Sequence, residues 1–178
     1  MTRAHEQLYL RTLHNLVAAG FDFCVLGTFG LRLQYPRLPR RLVADCDLLL
    51  PADPAGLTAL VSHLETGGWV VSLWEQPVPR PLTTELLAGK YYLRARQVGA
   101  VLDCAYENDY LDWPDFVARC IWHRGLPLLA TAHILAQKAR CNRPADQLVL
   151  SRFSALAATN QWAGASRVSQ ASENPQSP

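Results

Sequence analysis

The chain has 178 residues, 49% of them hydrophobic and 18% charged, and a formal net charge of +2 at pH 7. These proportions describe one globular domain, or a domain with a small appendage, and exclude a disordered chain, a collagen and a disulfide-stapled miniprotein. No apolar run approaches the roughly 18 residues that cross a bilayer, and the opening Met1 to Glu6 lacks a secretory layout, so a cytoplasmic location without a membrane partner is expected; near-neutral charge argues against a polybasic coat for nucleic acid.

Leu10, Leu13, Leu16 and Val17 recur at helical spacing and Gly20 supplies a left-handed stop, which predicts a first helix. Phe21 to Gly27 is an aromatic and β-branched run that predicts a strand ending on glycine. Thr28 is a suitable N-cap for a second helix, halted near Tyr35 by Pro36, and residues 36–41 form a basic loop carrying Arg37, Arg40 and Arg41. A second strand is expected over Ala44 to Leu50. Asp53-Pro54 then opens a helix with Leu57, Leu60, Val61 and Leu64 on its buried face, and Gly67-Gly68 closes it. Trp69 to Trp74 predicts a third strand. Glu75 to Gly89, with Pro77, Pro79 and Pro81, predicts a long irregular loop of the kind that lies over a site.

Lys90 to Gln97 and Ala100 to Glu107 flank Val98-Gly99 as an antiparallel hairpin; Val101, Asp103 and Ala105 share one face, Leu102, Cys104 and Tyr106 the other. Helices are expected over Pro114 to Arg124, Thr131 to Cys141 and Ala145 to about Asn160, with Trp113 and Trp122 in the core. From Ala163 onward Ser, Gln, Asn and Pro replace apolar residues, which predicts a disordered tail. The organisation that follows is a core over 1–125, a helical extension over 126–162 and a tail over 163–178.

Cys24, Cys46, Cys104, Cys120 and Cys141 contain no C-x-x-C pair, so neither a zinc ribbon nor a thioredoxin-type site is present, and they read as reduced, mostly buried small hydrophobes. The histidines form no H-x-x-x-H pair, no G-x-S-x-G elbow occurs, and Cys120 with His123 lacks a third group.

The carboxylates carry more information. Asp45 and Asp47, two apart in a strand, leave the same face with Cα atoms roughly 6.5 Å apart, close enough to share a cation. Asp is depleted in strands, and these two open an apolar run, so something must offset their repulsion. Magnesium, a hard cation taking oxygen ligands, does so. Asp103 is likewise a lone carboxylate in an apolar strand. The plain alternatives are a solvated Asp-x-Asp and a cross-hairpin ion pair of Asp103 with Arg94 or Arg96. Upstream, Leu26-Gly27-Thr28 sets a glycine at a strand-to-helix turn, where backbone N–H groups can hold phosphate or simply make a tight capped turn. Gly27-x-x-Gly30 lacks the third glycine of a dinucleotide fingerprint, and no Gly-Lys-Ser/Thr follows.

Strand, Gly27-Thr28, helix, basic loop, Asp45-Cys46-Asp47, helix, strand, and a later strand bearing Asp103 is an order that resembles the nucleotidyltransferase superfamily of polymerase-β-like fold. Arg41, four residues before Asp45, and the leucine-rich stretch Leu128 to Lys138 resemble its AbiEii-like and minimal branches; where some AbiEii-like toxins carry a Lys-Asp pair this chain reads Arg143-Pro144-Ala145-Asp146. The resemblance implies an α/β (α+β) fold, a mixed sheet flanked by helices with a short C-terminal helical cap. It also implies Mg2+ and a nucleoside triphosphate: Asp45 and Asp47 hold the metal, Gly27 and Thr28 cradle terminal phosphates, Asp103 completes the site and deprotonates an acceptor hydroxyl, and Arg41 and Lys138 touch phosphate. Two rivals use the same residues, a degenerate regulatory or interaction module and a metal-dependent phosphoester hydrolase. The acceptor (small molecule, RNA or protein), the base and the oligomeric state stay open.

Overall fold

The structure, a computed structural model, describes residues 1–108 and 112–169. In chain order the elements are α1 (Arg3–Ala18), β1 (Cys24–Val25), α2 (Gly27–Gln34), a 3-10 turn (Arg40–Leu42), β2 (Cys46–Leu50), α3 (Pro54–Thr66), β3 (Val70–Leu73), β4 (Gln76–Pro77), α4 (Thr84–Leu87), β5 (Tyr92–Gln97), β6 (Ala100–Tyr106), α5 (Trp113–Val117), β7 (Cys120–His123), β8 (Leu126–Leu129), α6 (Thr131–Cys141) and α7 (Pro144–Ser169). Among the described residues the strands form one mixed eight-stranded sheet in the order β4-β3-β5-β6-β2-β1-β8-β7. This is the mixed α/β architecture that the sequence implies.

Period-two alternation sorts the side chains. Cys46, Leu48 and Leu50 of β2, with Leu102 and Cys104 of β6, pack beneath Tyr9, Leu13 and Leu16 of α1 and Leu57, Leu60 and Leu64 of α3 in one large core. Tyr9 is fully buried there, edge-on to Phe29 and stacked near Trp69, and its hydroxyl accepts from the Val101 N–H at 2.9 Å. On the opposite face Leu49, Cys24, Leu129, Ile134 and Val149 form a second cluster beneath α6 and α7. Asp47 shares that face with Leu49, so the carboxylates emerge beside the smaller cluster.

Several sequence expectations change. The helix expected over Pro114 to Arg124 stops at Val117, and a hairpin of β7 and β8 follows, turned on Arg124 (φ 53°) and Gly125 (φ 75°). Two successive left-handed residues make the type I′ turn that suits antiparallel strands, which helical periodicity could not register. Trp122 consequently lies 70% exposed on β7, at the sheet edge, rather than in the core. Second, Cys24 and Cys120 are joined as a disulfide across 96 residues, so this pair is not reduced in the structure; Cys46, Cys104 and Cys141 are free thiols. Only the return of the chain through β7 brings the two together, which sequence spacing conceals. Third, residues 75–89 do not cover the site. Leu82 and Leu87 are buried in the large core, the Leu82 N–H donates to Thr58 Oγ1 at 3.1 Å, and Arg80 pairs with Glu65, all on the α3 side.

Thr28 lies inside α2 rather than capping it, since the N-cap residue is Leu26. The backbone of α7 continues to Ser169, past the expected end near Asn160 and into the stretch 163–169 read as tail; Ala163 and Ala165 there have high helix propensity. The remainder of the expected tail, 170–178, lies outside the described residues. Among the described residues no helix is long and apolar enough to cross a membrane.

Candidate active site

Parallel pairing of β2 with β6 sets Asp47 opposite Asp103. Asp45 sits one residue ahead of β2, and carboxylate oxygens of Asp45, Asp47 and Asp103 lie within 4.8 Å of one another. Residues separated by more than fifty positions therefore meet at one end of the sheet, as their order along the chain predicts.

Gly27 approaches the cluster from β1. Its φ is +63°, and a Cβ built on it would overlap Asp47 Oδ2, so both conformation and space demand glycine. The turn is tied to β2 by the Leu26 N–H, which donates to the Asp47 carbonyl at 2.8 Å. No side chain caps α2, so its first-turn donors point from an uncapped helix start beside the carboxylates. Gly27, Thr28, Asp45, Asp47, Asp103 and Lys138 all line one cleft of about 530 Å³. Arg41, on the exposed 3-10 turn, does not line it.

Two further groups complete the cleft, the first expected from sequence only as one of two alternative ion-pair partners of Asp103, the second not foreseen. Arg94 of β5 grips Asp103 in a bidentate pair, Nε to Oδ1 at 2.6 Å and Nη2 to Oδ2 at 2.8 Å. The two-residue Val98-Gly99 turn sets position 94 opposite 103, so the register contains this partner and rejects Arg96. Asp103 is thus both an ion-pair partner and a member of the acidic cluster. The second group is on the C-terminal helices. Asn142 takes a left-handed conformation (φ 51°) and ends α6, so α7 folds back and delivers Asp146 to Lys138, Nζ to Oδ1 at 2.9 Å. Asp146 is 1% exposed and Lys138 7% exposed; Arg143 donates from Nε to Asp146 Oδ2 at 2.7 Å. A Lys-Asp pair therefore exists across a bend, where linear comparison finds none.

The charges are unevenly matched. Burial, then the neighbouring Asp45 and Asp103, push the Asp47 carboxyl up to about 7. Burial and the nearby Asp103 also raise Asp45. Asp146 behaves oppositely: its hydrogen bond from Arg143, opposed by burial and aided by Lys138, holds it down at about 2. Two carboxylates that resist ionisation beside a third are a site that lacks positive charge. A hard divalent ion fits this donor set, which is three carboxylates offering oxygens that lie within 4.8 Å of one another.

No family model matches the chain, and no curated protein matches its sequence. Solved structures do match its fold. A Thermotoga maritima protein assigned as a nucleotidyltransferase aligns over 92% of this chain and 96% of its own, at 15% identity and a TM-score of 0.50. The antibiotic-resistance factor ANT(2'')-Ia aligns over 92% of this chain and 98% of its own, at 14% identity and a TM-score of 0.54. A second structure of ANT(2'')-Ia, in complex with adenylyl-2''-tobramycin, aligns over 93% and 99% at 17% identity and a TM-score of 0.51. The chain has the nucleotidyltransferase-like fold.

Proposed function

We propose that the protein is a magnesium-dependent nucleotidyltransferase that moves a nucleotidyl group from a nucleoside triphosphate to an acceptor hydroxyl. The observation that carries this reading is the convergence of Asp45, Asp47 and Asp103 within 4.8 Å, beside the Gly27 turn and inside one cleft. The fold shared with ANT(2'')-Ia supports it, and the adenylylated tobramycin held by that neighbour supports a small-molecule acceptor.

Asp45 and Asp47 would hold the cation, with Asp103 completing the set. When bound, a divalent ion neutralises the triphosphate and favours the attacking oxygen and the departing pyrophosphate. Backbone N–H groups at Gly27 and Thr28 bind the terminal phosphates, where the helix dipole favours negative charge. Lys138 and Arg143 supply positive charge from the opposite wall, while Asp146 fixes both in place; Arg41 stays outside these contacts. The acceptor oxygen attacks the α-phosphorus, its bond to pyrophosphate breaks, and an Asp103 oxygen takes the acceptor proton. Arg94, by engaging both Asp103 oxygens, orients that carboxylate. Within the superfamily we place the chain nearest the AbiEii-like branch, and in the cell we place it in the cytoplasm.

Thermal melting with Mg2+ and each triphosphate tests binding, since a ligand at a hundred times its Kd stabilises by about 2.7 kcal/mol. Transfer of label from an α-phosphate-labelled triphosphate, comparing wild type with Asp47→Asn, tests catalysis. Loss of transfer in the variant is expected. Equal transfer by both chains sinks the proposed metal role, and binding without transfer to any acceptor favours the degenerate module.

A further inference from the structure

Past Asp103 the cleft ends on aromatic rings. Tyr91 and Tyr92 line it, and Trp74, 44% exposed, stands against both, with ring centroids 5.6 Å and 5.5 Å away. The Arg94 guanidinium lies 4.9 Å from the centre of the Tyr92 ring. Trp74 (φ 50°) and Glu75 (φ 63°) make the two-residue turn between β3 and β4, so a bulky side chain occupies a left-handed conformation that such residues seldom adopt. Glu75 anchors that turn by accepting from Arg94 Nη1 at 2.7 Å and Arg96 Nη2 at 2.9 Å. A chain of contacts, Asp103 to Arg94 to Glu75, thereby fixes the rings relative to the third carboxylate. Two arginines and two carboxylates cancel, leaving an exposed π surface of little net charge.

The order of strands gives this ledge its place in the reaction. Moving across the sheet from β1 through β2, β6 and β5, the cleft presents the Gly27 turn, Asp47, Asp103, then Arg94 with Tyr92, and Trp74 at the end of β3 stands just beyond its lining, against Tyr91 and Tyr92. An in-line displacement sets entering and leaving oxygens on opposite sides of the phosphorus. With pyrophosphate leaving toward Gly27, the acceptor hydroxyl enters from the Asp103 side. Trp74 follows β3, two strands beyond β6 and roughly 10 Å away, about the length of a nucleoside. We propose that Trp74, Tyr91 and Tyr92 are the acceptor platform, and that the acceptor carries its hydroxyl beside a planar aromatic or heteroaromatic ring that stacks on them. This inference rests on the nucleotidyl-transfer reading.

Tryptophan emission of the full chain, compared with Trp74→Phe, reads the ledge without catalysis. The ring-bearing probes are adenosine, uridine and 4-hydroxyphenethyl alcohol, which carry a planar aromatic or heteroaromatic ring, and the controls are methyl glucoside and tobramycin, whose rings are saturated. At least one ring-bearing probe is expected to quench wild type, the quench is expected to vanish in Trp74→Phe, and Tyr91→Ala is expected to weaken binding about tenfold. Asp47→Asn is expected to keep the quench, so loss of the metal role and loss of the ledge are read separately. In transfer assays Trp74→Ala raises KM for the ring-bearing acceptor and leaves KM for the triphosphate unchanged. No quench by any ring-bearing probe, or equal response to methyl glucoside or tobramycin, overturns the proposal. So does a triphosphate that alone gives the Trp74 quench and competes with the ring-bearing probe, because the ledge would then hold the donor's base.

Discussion

The two faces of β2 are built for opposite ends. On one, Cys46, Leu48 and Leu50 are at most 3% exposed and sealed by α1 and α3; on the other, Asp45 and Asp47 stand in a cleft that α6 and α7 only partly close. One short strand thus spends its apolar side on cohesion and its acidic side on an arrangement the fold alone would not select. The sealed face needs nothing from outside. The open face carries anions whose burial and mutual repulsion raise two of their pKa values, and the cation proposed above would balance them.

The sharpest break of this contrast is Asp47→Asn, expected to cut transfer about a thousandfold while leaving the chain folded, as transfer kinetics and circular dichroism would report. Leu48→Ala, one residue away on the other face, is expected to cost about 3 kcal/mol in urea unfolding while preserving the acidic cluster in the molecules that remain folded. Asp146→Ala should destabilise by a similar amount, about 3 kcal/mol, by leaving the Lys138 ammonium buried without its partner. The Asp146 carboxyl is depressed in the folded state, so its stabilisation is complete above pH about 4 and disappears as pH falls toward about 2; acid unfolding of wild type should be steeper there than that of Asp146→Asn. Asp47 has the opposite sign. Its folded pKa is raised to about 7, so without divalent ion the melting temperature should climb as pH falls from 8 to 5, and the slope should flatten with Mg2+ and in Asp47→Asn. The smallest effect belongs to Val98, a β-branched residue held at φ 47° and 87% exposed; Val98→Asn should raise stability by about 0.5 kcal/mol.

Legibility in the sequence followed locality. The β5–β6 hairpin and the two faces of β6 followed from alternation around Val98-Gly99, and the identity of the three acids followed from their unsuitability for strands. Arg94 was legible as one of two partners for Asp103, and counting across the two-residue turn selects it over Arg96. Asp146 was not, since its approach to Lys138 depends on a single left-handed residue, Asn142, that reverses the chain. The β7–β8 hairpin was hidden by side chains that satisfy helical spacing equally well, and its exposed Trp122 obeys no burial pattern at all. Cys24 and Cys120 likewise meet only through topology.

The register that sets Asp47 against Asp103 also ties folding to chemistry. A slip of one position between β2 and β6 would turn Leu102 and Cys104 outward and drive Asp103 under α1 and α3, which the apolar packing there forbids. A misaligned but well-packed molecule is therefore disfavoured, and with the proposed cation site a titration of divalent ion in a preparation should count its correctly assembled chains.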